Sequence, residues 1–425
     1  MLLLAEAANP GWTSVPLEGW CHSQALSRHA DVHLVTHARN RANISEAGLV
    51  EGRDFTVIPA APLARPLWQV VRRLRGGENH AWTMMTAYES LLYYVFEQRV
   101  FRAFSGALRS GAYDLVHRLT PLTPTAQSPL ARWCRELNVP FVLGPLNGGL
   151  PWPRDFVSEM HRQRDWLTHV RGVMRLMPGY RATRFHAAAI IAGSRATFEQ
   201  LPAWTRAKTV YVPENGVDPE RFNRPTLRRP AAPLRVAFVG RLVPYKGADM
   251  LLEAAAPLVR DGRVVVDVIG EGPELERLRA LAPPGEGVRF AGFVPHHSLQ
   301  QRLAESDVLG FPSVREFGGA VVLEAMALGL VPVVVDYGGP GEHVSPATGI
   351  ATAMAPRTVL VERLREALER LAADPELVRA MGQRARRRVL ELYTWDAKAR
   401  QVLEVWRWVL GRRDKPDFGM PLADP

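Results

Sequence analysis

Cysteine is scarce: the 425 residues hold two, Cys21 and Cys134. Two thiols cannot staple a chain of this size, which excludes a disulfide framework and points to a reducing cytoplasm. Long apolar runs are also missing. No window approaches twenty uninterrupted apolar residues, so no membrane-spanning helix is expected. The opening MLLLAEAANP has no basic start and is interrupted at Glu6, so it reads as a first strand, not a signal peptide. There is no Asp-x-Asp pair and no His/Cys cluster at metal-ligand spacing, and no metal site is expected. The aromatics do not interleave with a basic stripe and no binding motif for nucleic acid occurs, so nucleic acid is not an expected partner.

What is present is ample material for a globular protein, with 47% hydrophobic and 23% charged residues. The length exceeds one ordinary core and favours two domains. The net charge of +10 is unevenly spread. Residues 1–215 hold 24 Lys and Arg against 16 Asp and Glu, whereas the remainder holds 29 against 27. That surplus in the first half suits an anionic acceptor or an anionic membrane surface. It is equally what an arginine-rich surface with no such partner would give.

In chain order, Leu2–Leu4 reads as a strand, followed by a Pro/Gly-punctuated loop, a helix from about Leu17 to His29, and the strand VHLVT at 32–36. This is the start of a parallel α/β sheet. Residues 60–110 are aromatic and basic, and ESLLYYVFEQRVFRAF suggests an extended amphipathic helix. The segments 113–117, 141–145, 188–194 and 209–213 have the shape of further buried strands, with 151–187 between them helical and rich in Arg, Met and Trp. Residues 219–233 are Pro/Arg-rich without a period and read as a linker. The second half alternates strand and helix more regularly, with five strands at 234–242, 263–273, 288–294, 308–313 and 331–336. Residues 356–409 read as two or three helices. The expected domains are thus 1–218, a linker 219–233, 234–392, and terminal helices over 393–425.

Ligands of doubly wound sheets bind beyond the carboxyl ends of the strands. Those ends offer Gly240, Arg241, Lys246 and Gly247; then Gly270, Glu271, Gly272 and Pro273; then Glu316, Gly318 and Gly319; then Gly338 and Gly339. A helix starting near Gly319 points its free amides and positive dipole end at the turn, with Glu324 in its second turn. Arg241, Lys246 and the helix start nearly balance a nucleoside diphosphate without a metal. Carboxylates are acceptors suited to hydroxyl groups and poor partners for phosphate. Each feature alone is common in surface loops; their succession at consecutive strand ends is what carries weight.

The stretches GRLVPYKG (240–247), IGEGPELERL (269–278), FAGFV (290–294) and FPSVREFGGAVVLEAMALGLVPVVVDYGGPGEHV (311–344) closely resemble the donor domain of retaining glycosyltransferase family 4, the glycosyl transferases group 1. PENGVDPERF (213–222) and YTWDAKA (393–399) share the resemblance, which in the first half is limited to strand order and AIIAGSRAT at 189–197. It implies an α/β GT-B architecture: two Rossmann-like, doubly wound domains with a central cleft, and a last helix that crosses back to the first. It also implies a donor site in which Arg241 and Lys246 hold the diphosphate of a nucleotide sugar. Glu316 would bind the transferred sugar, Glu324 the ribose, and Gly240, Gly270, Gly272 and the amides of Gly318, Gly319 and Ala320 would line the phosphates. No cofactor beyond this co-substrate is implied.

The first half departs from the family pattern. After the first strand, where many members have a Gly-Gly turn, the loop reads NPGWTSVPLEG, with Gly19 as the candidate close-approach residue. His117 stands where the family often places an acceptor-side histidine, beside the structural role that a strand-end histidine usually has. Asn147, Gly148 and Gly149 read as a cleft loop, and Val314, Arg315 and Tyr337 as pocket-filling residues. The expected function is metal-independent, retaining transfer of a sugar to an acceptor hydroxyl on a glycolipid, polysaccharide or small molecule. The expected setting is the cytoplasm, with peripheral contact at an anionic inner membrane face. The alternatives are a GT-B epimerase or phosphorylase, or a nucleotide-sugar-binding module without catalysis.

Overall fold

A computed structural model describes residues 1–59, 82–162, 178–223 and 232–424. Expectations for 60–81, 163–177 and the linker core 224–231 lie outside the described residues. The chain forms two compact units. The first comprises Met1–Gly149, Arg164–Glu214 and Trp395–Gly419; the second comprises Leu150–Gln163, Asn215–Thr394 and Met420–Pro425. Leu150–Gln163, which the sequence reading assigns to the first domain, therefore packs with the second.

The first unit is built on a seven-stranded parallel sheet. Its strands are β1 (Leu2–Ala5), β2 (His33–His37), β3 (Phe55–Ile58), β4 (Val116–Thr120), β5 (Phe141–Leu146), β6 (Ala189–Ala192) and β7 (Thr209–Tyr211). Their order is β3-β2-β1-β4-β5-β6-β7, so the chain reverses direction across the sheet between β1 and β4. β1 has no polar residue because both its faces are covered: Leu2 and Leu4 join one core, Leu3 and Ala5 the other. The helix Trp82–Arg109 buries Tyr93, Phe96, Glu97 and Val100, the i, i+3, i+4, i+7 stripe of an amphipathic helix. The first helix spans Val15–Ser27, two residues earlier than the sequence reading at each end. β3 is absent from that reading, because FTVI is an edge strand of four residues after a polar turn.

The second unit is built on a six-stranded parallel sheet of β8 (Leu234–Val239), β9 (Val264–Ile269), β10 (Val288–Gly292), β11 (Val308–Phe311), β12 (Val331–Asp336) and β13 (Ile350–Ala353). The order is β10-β9-β8-β11-β12-β13, with the reversal between β8 and β11. The sequence reading has five strands; β13 is the sixth, a half-exposed edge strand whose IATA lacks a continuous apolar run. Among the described residues, no helix is long and apolar enough to cross a membrane.

Candidate active site

In the second unit the loops after β8 and β11 leave the sheet at its reversal point, where neighbouring loops diverge and open a crevice. Backbone bonds fix the two loops together. The amide of Val314 donates to the carbonyl of Tyr245 at 2.9 Å, and the Ser313 hydroxyl reaches the same oxygen at 3.1 Å. This register sets Lys246 opposite Glu316, and Lys246 Nζ donates to Glu316 Oε2 in a largely buried ion pair. The ammonium also lies 5.2 Å from the Phe311 ring centre and 5.9 Å from that of Tyr245. Arg241 is exposed at the mouth of the first loop.

The helix Ala320–Ala327 begins at Gly319, whose φ of 71° lies in the left-handed region. Buried His343 donates from Nε2 to the Gly318 carbonyl at 2.7 Å. Because the C=O and N–H of a planar trans peptide point in opposite directions, this bond also orients the Gly319 amide. Val322 donates its amide to the Gly319 carbonyl at 2.9 Å, and it is the amides ahead of it at the helix start that an anion would meet. Glu324 lies in the second turn, with Oε1 2.7 Å from Nε2 of His296.

The loops after β8 and β9 are stitched by main-chain bonds from Gly240 to Ile269, at 3.0 Å, and from Leu242 to Glu271, at 2.8 Å. A Cβ on Gly270 would come 2.0 Å from the Gly240 carbonyl oxygen, and one on Gly272 would come 2.3 Å from that of Leu242. Packing of the chain on itself therefore demands both glycines, whether or not a ligand approaches them. Glu271 accepts from the Phe293 amide at 3.3 Å and so ties its loop to the end of β10.

A wall that the sequence reading missed comes from Leu150, Pro151 and Trp152. Arg315 donates from Nε to the Leu150 carbonyl at 3.4 Å. Its guanidinium lies 4.8 Å from the Trp152 ring and 5.5 Å from that of Phe317. Trp152 meets Tyr245 edge-on at 6.0 Å, and the Tyr337 hydroxyl donates to the Pro151 carbonyl at 2.9 Å. This segment thus braces the residues on either side of the Lys246–Glu316 pair. Arg315 and Tyr337 hold it, while Val314 is fully buried and cannot touch a ligand.

The first-half candidates are corrected by the structure. Gly19 lies inside the first helix, where a Cβ would come 2.2 Å from the Ala7 carbonyl oxygen and 3.0 Å from Thr120 Cγ2. Its close approach is to its own chain. His117 is fully buried in β4 with both ring nitrogens occupied. Nε2 lies 2.7 Å from the Gly144 carbonyl, and Nδ1 accepts from the Trp406 indole at 3.1 Å. Desolvation, the larger effect, lowers its pKa to about 3 against the opposing bond to Gly144. A neutral imidazole locked this way cannot meet an acceptor. Asn147 is buried and accepts from Ser194 at 2.8 Å, so it anchors its loop internally.

The sequence model of glycosyl transferases group 1 matches residues 219–388, the span that holds every second-unit residue above except the bracing segment. A GDP-mannose-dependent alpha-(1-6)-phosphatidylinositol monomannoside mannosyltransferase of Mycobacterium tuberculosis is 30% identical over 386 residues, covering 80% of this chain and 93% of that protein. The chain belongs to the glycosyl transferases group 1 family. A second relative, the GDP-mannose-dependent monoacylated alpha-(1-6)-phosphatidylinositol monomannoside mannosyltransferase of Corynebacterium glutamicum, is 28% identical over 267 residues. That match covers 60% of this chain and 65% of the relative's own length. Sucrose-phosphate synthase of Thermosynechococcus elongatus superposes with a TM-score of 0.63 at 20% identity, covering 97% of this chain and 99% of that one. The fold is therefore GT-B, and this family member carries two Rossmann-like α/β domains.

Proposed function

We propose that this glycosyltransferase moves a sugar from a nucleotide diphosphate sugar to an acceptor hydroxyl with retention of anomeric configuration and without a metal ion. The observation that carries the reading is the Lys246–Glu316 pair at the sheet reversal, beside a helix start and eight positions before Glu324. Cation, free amides and carboxylates are the partners that diphosphate, sugar hydroxyls and ribose hydroxyls require. Lys246, Arg241 and the amides from Gly318 to Ala320 take the diphosphate. Glu316 accepts from the sugar and Glu324 from the ribose.

The C–O bond to the diphosphate breaks as the acceptor oxygen approaches from the same face, and the leaving diphosphate takes the acceptor's proton. Stabilising the charge that develops on the diphosphate is then the main catalytic contribution, worth about a hundred- to a thousandfold for one donor group. The two relatives, named for phosphatidylinositol mannosides, favour an anionic lipid headgroup as acceptor, and the basic surplus of the first half agrees with that. The test is turnover of UDP- and GDP-sugars with phosphatidylinositol-type acceptors in excess EDTA, with the product anomer assigned by NMR. Retained configuration and undiminished turnover are expected. An inverted product overturns the stereochemistry, and EDTA-abolished activity restored by Mg²⁺ overturns metal independence.

A further inference from the structure

Glu324 is the end of a hydrogen-bonded chain. The segment after Asn215 brings Arg221 to His296, with Nη2 2.8 Å from His296 Nδ1. On the far side of the ring, Nε2 lies 2.7 Å from Glu324 Oε1. Phe222 packs against the imidazole with centroids 5.6 Å apart. All four residues belong to the second unit.

Donor and acceptor rules orient this chain. A guanidinium has only N–H groups to offer and stays charged. His296 Nδ1 must therefore accept, which makes the ring neutral with its proton on Nε2. That proton can only be donated to Glu324. The direction is Arg221 to His296 to Glu324, and it takes up Oε1. The Glu324 side chain is 13% exposed and that of His296 32%, so the carboxylate is held from the rim of the site.

We propose that Arg221 and His296 are positioning residues for the donor nucleotide: they lock the Glu324 carboxylate so that Oε2 is the oxygen presented to the ribose hydroxyls. This rests on the assignment of Glu324 to the ribose. A carboxylate without His296 has to be ordered by the ligand itself, and that ordering weakens binding. The effect is confined to the ribose, because neither residue is assigned to the diphosphate.

The test compares whichever of UDP or GDP binds more tightly with its 2′-deoxy and 3′-deoxy analogues, by calorimetry on the full chain. The wild type is expected to favour the ribonucleotide by about tenfold, the size of one charge-assisted hydrogen bond. His296→Ala and Arg221→Met should compress that ratio below about threefold while leaving pyrophosphate affinity unchanged. Arg221→Lys, which still donates, should restore the ratio and so also covers the case in which His296→Ala does not fold. An undiminished ratio in a folded His296→Ala or Arg221→Met variant overturns the positioning role alone. A wild type that does not distinguish ribose from deoxyribose overturns the Glu324 assignment, and the positioning role with it.

Discussion

The indole N–H of Trp406 donates to Nδ1 of His117 at 3.1 Å, tying the helix Trp395–Val409 to the middle of β4. The two rings meet edge-on at 5.6 Å, and both residues are almost wholly buried. Since Nδ1 accepts, the ring proton sits on Nε2 and is donated to Gly144. Trp406→Phe removes the donor and leaves a buried acceptor without it, a change that costs about 1–3 kcal/mol. Urea denaturation of this variant should show that loss, and the KM for donor should not move. A changed KM with unchanged stability would return His117 to the substrate.

The same packing makes the first unit sensitive to acid. His117 and His22 are both buried, and each has a pKa pushed down to about 3, chiefly by desolvation. For His22, the charges of His117 and Lys398 add to that depression. In the unfolded chain both would titrate near 6.5, so below that value the unfolded state binds protons that the folded state refuses. Stability is therefore full above pH 6.5 and falls as the pH drops toward 3. At pH 5 the loss is about 2 kcal/mol for each ring, at 1.36 kcal/mol per pH unit. Denaturation followed by tryptophan fluorescence at pH 7.5, 6.5 and 5.0 should show this slope, and His22→Asn should flatten part of it.

Gly19 separates packing from ligand binding in one substitution. A methyl group there meets a backbone oxygen at 2.2 Å, which cannot rotate away as a side chain could. Gly19→Ala must shift the first helix from the end of β1, costing about 1–3 kcal/mol. The expected result is a lowered melting temperature with donor KM unchanged. A stable Gly19→Ala protein with a raised donor KM would restore the ligand-facing role.

The legible parts of the sequence were those whose environment is local. Strands covered on both faces announce themselves as β-branched runs such as VPVVVD, and the glycine-rich loops at their ends mark where the candidate residues of the second unit lie. β3 and β13 escaped because an edge strand of four residues has no such run. Local sequence leaves both roles of His117 open, because what occupies its Nδ1 is a tryptophan 289 positions away. The bracing segment was illegible for the same reason, since Leu150 and Pro151 find Arg315 and Tyr337 at separations of 165 and 186. His296 carried a faint signal, a histidine just after the β10 strand end, but nothing in sequence links it to Glu324 or Arg221.

Trp152 lies outside the family match and yet packs in the second unit against the neighbours of Lys246 and Glu316. Its ring covers the Arg315 guanidinium, next in sequence to Glu316, so Trp152→Ala removes a desolvated cation–π contact worth up to about 2 kcal/mol. Arg315 and its neighbour Glu316 then lose their brace, and donor KM should rise several-fold. Tyr337→Phe removes only the bond to Pro151, worth about 0.5–1.5 kcal/mol, and should give a smaller rise in the same direction. Steady-state kinetics with varied donor decides it: equal, wild-type KM values in both variants would show the segment to be irrelevant to the donor.

The Lys246–Glu316 pair sets up two substitutions with opposite effects on nucleotide binding. The Lys246 ammonium is held by the Glu316 carboxylate, both side chains being less than one-fifth exposed. Under the proposed assignment of Lys246 to the diphosphate, a donor competes with Glu316 for it. Glu316→Gln removes the competing charge and keeps the side chain's shape, so affinity for the free nucleoside diphosphate should rise several-fold. Turnover should nevertheless fall by about a hundredfold, because the contact to the transferred sugar is weakened. Lys246→Met removes the cation itself, and both affinity and turnover should fall, the latter by about a hundred- to a thousandfold. Calorimetry with UDP and GDP, paired with turnover of the matching donors, distinguishes these patterns. If Glu316→Gln loses nucleotide affinity as Lys246→Met does, then Glu316 contacts the nucleotide directly, and its place on the sugar is wrong.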